Sequence, residues 1–214
     1  TEETETKATD VSKVILITDS EYQVVSIDQS IPLPDYVFYP NSDTDKTAVE
    51  WTVDDLNVAE VATTTDANGK VSGTVKAKAA GVAVVKLQVV GKTEVNAAFR
   101  LIVRPTNEPK NCKADATYNS VSLSWSPVAD ANGYTITRKV EGSDTEQTIA
   151  HVDGTDTVSY KDTAAQTGIS YIYHVYAYTK YTNNGQTDYA NTDAYASVKA
   201  TPQLGKAAMT SQIG

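Results

Sequence analysis

The stretch that decides the fold is GISYIYHVYAYTK, Gly168 to Lys180. Its side chains alternate. Tyr171, Tyr173, Val175 and Ala177 fall on one side of an extended chain, and Ile172, His174, Tyr176 and Tyr178 on the other. A period of two belongs to a strand, whereas a helix would scatter the same residues around its circumference. The β-branched and aromatic side chains suit a pleated surface. The stretch is read as the central strand of a β-sandwich, with the second half of the chain built around it.

Working outward, the same chemistry recurs along the chain. In the second half, Val121, Leu123 and Trp125 alternate within VSLSW, and Tyr134 and Ile136 alternate within GYTITR. Glu146 to Val152, Val158 to Asp162 and Tyr195 to Ala200 are further strands, with Asp153-Gly154 and Asn183-Asn184-Gly185 as turns. In the first half, strands are expected at Val11 to Ile17, Glu21 to Ile27, Asp35 to Tyr39, Val49 to Val53, Val58 to Val61, Gly81 to Val90 and Ala97 to Val103. Ile31-Pro-Leu-Pro34 is a break or an edge, because proline cannot donate to a ladder. Pro40 to Lys46 and Asp66 to Gly69 are turns. Turn signals at this spacing indicate an all-β sandwich architecture.

The length of 214 residues fits two ordinary domains. Arg104-Pro-Thr-Asn-Glu-Pro109, with two prolines in a short polar run, is the linker. The division is an acidic tail over 1–10, a first sandwich over 11–105, a second over 106–202, and a remainder over 203–214 that is a tail or the start of a further domain.

Charge and composition exclude several classes of function. The formal net charge is −9. Up to Pro105 there are 10 Lys+Arg against 16 Asp+Glu, and beyond it 8 against 11. An acidic balance in both halves disfavours nucleic acid and anionic membrane surfaces, which are held by clustered Lys and Arg. No apolar run approaches the roughly 20 residues needed to span a bilayer, so no membrane insertion is expected in this segment. The one cysteine, Cys112, forms neither an intrachain disulfide nor a Cys-based metal site, and is read as a small hydrophobe.

Two resemblances stand on these residues. Trp51, VAEV (58–61), Asn68-Gly-Lys-Val71, Gly81-Val-Ala-Val-Val85 and Leu101-Ile-Val103, taken as a set, resemble a bacterial immunoglobulin-like domain of group 2. The "VGE" that such domains usually carry before the second strand is absent, and IPLPDYVFYP stands there. Pro109, VSLSW (121–125), GYTITR (133–138), GISYIYHVYAY (168–178) and the closing Thr201-Pro202 resemble a fibronectin type III domain. That resemblance implies that Trp125 fills one end of the core. It also implies that Tyr171 is a tyrosine corner, its hydroxyl bonded to nearby backbone. The pair of resemblances implies a segment of a modular bacterial protein that is secreted, or held on the cell surface or cell wall.

No constellation of catalytic residues stands out, and no enzyme, cofactor or metal is expected. His151 and His174 lack partners at metal-ligand spacing and are read as surface histidines. The pairs Asp43/Asp45, Asp54/Asp55 and Asp153/Asp156 do not match a calcium loop and are read as solvated turns. Tyrosine is the feature that invites a function: there are 13, mostly in the second half. Tyr176 and Tyr178 are expected to face outward, with Tyr181, Tyr189 and Tyr195 on the same hairpin. Exposed rings stack on sugars or anchor protein partners. The alternative is that they shield the outer face of the sheet. The expected function is a non-catalytic spacer or interaction segment, with flanking domains of a longer chain as neighbours. The alternatives are an adhesion module binding a polysaccharide or host-surface protein, and a phage virion decoration protein.

Overall fold

The computed structural model describes residues 11–40 and 47–204. Among the described residues every regular element is a strand, and the chain divides into two compact units between Val103 and Arg104. The expected acidic tail over 1–10, the turn cluster that includes Asp43 and Asp45, and the remainder over 203–214 lie wholly or largely outside the described residues.

The first unit is a sandwich of β1 (Lys13–Ile17), β2 (Tyr22–Ser26), β3 (Ser30–Pro32), β4 (Asp35–Tyr39), β5 (Val49–Val53), β6 (Ala59–Thr65), β7 (Val71–Ala77), β8 (Gly81–Val89) and β9 (Lys92–Arg104). One sheet has the order β2-β9-β8-β5, another β3-β7-β6, and β1 pairs with β4. Val75, Val85, Leu87 and Leu101 are fully buried, and Trp51 packs edge-on to Phe99. Of the two readings of Ile31-Pro-Leu-Pro34 the edge holds: Ile31 and Pro32 lie in the short strand β3, which pairs with β7 at the end of the order β3-β7-β6. One sequence expectation needs correction. Thr63 to Thr65 and Ser72 to Ala77 extend one long hairpin, whose register runs from Ala59↔Ala77 to Thr65↔Val71. Its outer row is polar, which hid it from a search for apolar alternation. Gly73 is required there: a Cβ on it would sit 2.0 Å from the Ala62 carbonyl oxygen.

The second unit contains β10 (Lys113–Ala116), β11 (Val121–Ser124), β12 (Gly133–Val140), β13 (Gln147–Asp153), β14 (Ser159–Asp162), β15 (Tyr171–Asn183), β16 (Gln186–Asn191) and β17 (Ala196–Ala200). One sheet has the order β10-β11-β14. The other has the order β13-β12-β15-β16, with β17 also paired to β15. The deciding stretch is thus the hub of its sheet. β12 lies along one edge of β15, and β16 and β17 share the other. Tyr171, Tyr173, Val175 and Ala177 enter the core with Val121, Leu123, Trp125, Tyr134 and Ile136. The Asn184-Gly185 turn has φ of 49° and 76°, the positive values a two-residue hairpin needs. Tyr171 does act as a corner: its hydroxyl accepts the Gln166 N–H at 3.2 Å.

One polar clasp joins the two sheets of this unit. The Tyr173 hydroxyl, on β15, donates to Asp162 Oδ2 at 2.9 Å. The Arg138 guanidinium, on β12, reaches the same oxygen at 2.7 Å and lies 4.9 Å from the Tyr171 ring centroid. Asp162, on β14 of the facing sheet, is buried, and its second oxygen accepts the Ala164 N–H. Removing one partner of a buried ion pair leaves the other charge without compensation. Asp162→Ala should therefore destabilise the second unit by about 3–5 kcal/mol, read as a lowered urea midpoint; a midpoint within error of the parent would show that the clasp does not hold the sheets.

Candidate interaction face

The tyrosines singled out by sequence belong to β15, β16 and the bend before β17. They do not form one exposed patch. The outer row of β15 is His174, Tyr176 and Tyr178. Register sets these opposite Thr137, Thr135 and Gly133 of β12. Across β12, Thr135 and Gly133 oppose His151 and Asp153 of β13. On the far side, Tyr178 opposes Asn191 and Lys180 opposes Tyr189. The outer face is therefore a mosaic of aromatic, histidine and hydrogen-bonding side chains.

Tyr178 was expected to be exposed, and the structure corrects this: it is fully buried. Its ring lies across Gly133, where a Cβ would sit 2.5 Å from the hydroxyl oxygen and 2.1 Å from the Val152 carbonyl oxygen. The hydroxyl donates to Asp153 Oδ1 at 2.7 Å, with the Val152 carbonyl 3.1 Å away. Lys180 holds the other Asp153 oxygen at 2.9 Å. These bonds, that from Tyr178 first, keep the Asp153 carboxyl below its ordinary pKa. Burial, and then the bond to Asp153, push the Tyr178 phenol up.

Tyr181 is also buried, but on the opposite side of the strand, in the row of Ala177 and Thr179. Its hydroxyl donates to Asp188 Oδ2 at 3.1 Å. Tyr189 is half-buried, stacked flat on His151 at 3.7 Å with 4° between the planes, and edge-on to Tyr178 at 4.8 Å. Tyr176 is half-buried, 5.0 Å from Tyr195. Burial first, then the charge of Glu146, pushes its phenol up to about 12. Tyr195 alone of the five is exposed, at 44%.

Of the two histidines expected at the surface, His151 is exposed and His174 is buried, and each organises half of the face. The Thr135 hydroxyl donates to Asn191 Oδ1 at 2.7 Å, so its one proton is used. His151 Nδ1, 3.0 Å from the same hydroxyl oxygen, must then donate to it, which leaves Nε2 as the acceptor. Burial holds the His151 pKa below the ordinary imidazole value, against the opposing pull of Asp153 and Asp188. His174 is buried, donates from Nδ1 to Glu146 Oε1 at 2.7 Å, and packs on Tyr195 at 4.2 Å. The Thr137 hydroxyl bonds the same carboxylate oxygen. Burial alone would raise Glu146; the bonds from Thr137 and His174 outweigh it and hold its pKa low.

Sequence reasoning missed Glu146, Thr135, Thr137, Asn191 and Gly133 as members of this face. The parity of GYTITR marks Thr135 and Thr137 as outward. Their partners, however, depend on cross-strand register and on an irregularity between Ile136 and Thr137. Among the described residues no group of three or more His, Cys, Asp or Glu is placed to hold a metal ion.

No family model matches the sequence, and no curated protein matches it. Solved structures do. An Fn3-like protein from Clostridium thermocellum is 29% identical, with 47% of this chain and 98% of that one covered and a TM-score of 0.33. The fn3 domain of human collagen alpha-1(XX) chain is 16% identical over 47% of this chain and 89% of that one, at a TM-score of 0.35. A multidomain segment of titin is 14% identical over 87% of this chain and 65% of that one, at a TM-score of 0.39. These neighbours are fibronectin type III and immunoglobulin-like β-sandwich domains.

Two measurements follow from this geometry. Gly133→Ala places a methyl against backbone and against the Tyr178 ring, and should lower unfolding stability by about 1–3 kcal/mol, with near-UV circular dichroism reporting a displaced tyrosine. His151 has its folded pKa below the unfolded value of about 6.5. The unfolded chain thus binds the proton more readily, so the stability His151 contributes is complete above that value and is lost as pH falls below it. The urea midpoint of the parent should fall through this window more steeply than that of His151→Gln; parallel curves would contradict the assignment.

Proposed function

We propose that this chain is a non-catalytic spacer and interaction segment of a modular bacterial protein, secreted or held at the cell surface. The observation that carries this reading is that the aromatic face is occupied by its own contacts. Tyr178 lies against Gly133, Tyr189 covers His151, and Tyr181 turns to the other side of its strand. A sugar-stacking platform needs rings whose faces are open to solvent. Here the rings shield a sheet, which makes the module stiff and closed on itself. Each unit also has its own filled core, as a chain of independent spacers requires. The setting outside the cell rests on the resemblances to a bacterial immunoglobulin-like domain and a fibronectin type III domain, and on the acidic surface of both halves.

Carbohydrate or host-surface adhesion is the second reading, favoured by one local observation: Tyr195 is exposed beside Tyr176 and His174. A glycan array including cell-wall and plant polysaccharides separates the two. The spacer reading expects no specific binding. Specific binding that is lost on Tyr176→Ala combined with Tyr195→Ala would overturn it in favour of adhesion.

A further inference from the structure

The strand β1 is built unlike a protected edge. Its hydrogen-bonded neighbour is β4, in a two-stranded sheet. Val14 and Leu16 point inward with Phe38 and Tyr36. On the opposite face Ile15, Ile17, Val37 and Tyr39 are all exposed, Ile17 at 59% and Tyr39 at 65%. Register places Lys13 against Tyr39, Ile15 against Val37 and Ile17 against Asp35, so an apolar stripe runs between one charge at each end. A solvated sheet face normally alternates apolar with polar. An edge strand is normally blunted by proline, bulges or charge. The register of β1 with β4 is unbroken, and Lys13 is the one charge in KVILI. Along this edge runs a groove of about 440 Å³, lined by Lys13 to Leu16, Thr18 to Glu21 and Asn96 to Ala98.

The charges on the groove select its occupant. Lys13 stands at one end of the strand, and Asp19 and Glu21 stand beyond the other. A strand positive at its start and negative past its end is complementary to itself when antiparallel. We propose that β1 pairs antiparallel with the β1 of a second copy of this chain, about a twofold axis at Ile15. In that register Ile15 meets Ile15 of the other copy, Val14 meets Leu16, and Lys13 meets Ile17. Asp19, in the bend past the end of β1, then lies toward Lys13 of the other copy on the diagonal, within reach of a long side chain. The symmetry is that of an isologous dimer, and the two apolar stripes merge into one. Five residues per copy make a small interface, so the dimer is weak and reversible. It forms whether or not the chain serves as a spacer, and its test does not involve glycans.

Sedimentation equilibrium on the whole chain, across roughly 10 µM to 1 mM, reads the association directly. The parent should show a monomer–dimer equilibrium. Ile15→Lys places like charges across the axis, and Lys13→Glu and Asp19→Lys each set like charges on both diagonals. Each variant should weaken the dimer about tenfold or more. All three positions lie on exposed backbone or side-chain surface, and an unchanged circular dichroism spectrum verifies the fold. Mixing Lys13→Glu with Asp19→Lys restores opposite charges on both diagonals, so the heterodimer should form where neither homodimer does. A parent that stays monomeric throughout, or a dimer indifferent to all three substitutions, would overturn the proposal. So would a mixture that shows no recovery.

Discussion

The phenol of Tyr173 is buried at the centre of the second unit, and its hydroxyl must find an acceptor there. Asp162 supplies it, from the facing sheet. That carboxylate is itself buried, and would be costly without a cation; Arg138 arrives from β12 to compensate it. Three strands in two sheets are thereby fixed against one another by a single oxygen. Arg138 and Tyr173 are cross-strand partners on β12 and β15, so the clasp also holds the register of the central pair. Everything on the outer face inherits that register.

The outer face shows what such a fixed register permits. Gly133 opposes Tyr178, and the space left by the missing side chain receives the ring. Thr135 opposes Tyr176 and bonds both His151 and Asn191; Thr137 opposes His174 and shares Glu146 with it. Such a face buries Tyr178 and His174 with no third layer, because neighbouring side chains lie against them. The two histidines are held in the same manner, each through Nδ1 to an oxygen acceptor. The first unit lacks such a cover on the β1–β4 ribbon, where Ile15, Ile17, Val37 and Tyr39 lie open. The contrast between a self-packed aromatic face and an open, largely apolar one distinguishes the two units as surfaces.

Much of the fold was legible before any coordinates. The inner row of β15, the placement of Trp125 and Trp51 in the cores and the Asn184-Gly185 turn follow from local pattern, and the tyrosine corner at Tyr171 from the resemblance to a fibronectin type III domain. The candidate site was legible only as a set of outward positions. Exposure was inferred for Tyr178 because outward was equated with solvent. Tyr181 was grouped with the outward tyrosines although its parity is that of Ala177. The long β6–β7 hairpin was understated because polar threonines and Gly73 carry no apolar alternation.

What the sequence by itself determined is the two-residue period of each strand, hence which side chains enter the cores, and the turns where glycine and asparagine take positive φ. These are local properties, set by backbone sterics and the burial of every second residue. What only the tertiary structure decided is which outward residues meet. Tyr178 finds Gly133, His174 finds Glu146 and Asp162 finds Arg138 across separations of 45, 28 and 24 residues in sequence. Such meetings depend on sheet order, on an irregularity in one strand pair and on the closure of two sheets on each other. A local pattern carries no information about any of these, because alternation fixes the side a residue faces and leaves its neighbour on that side open.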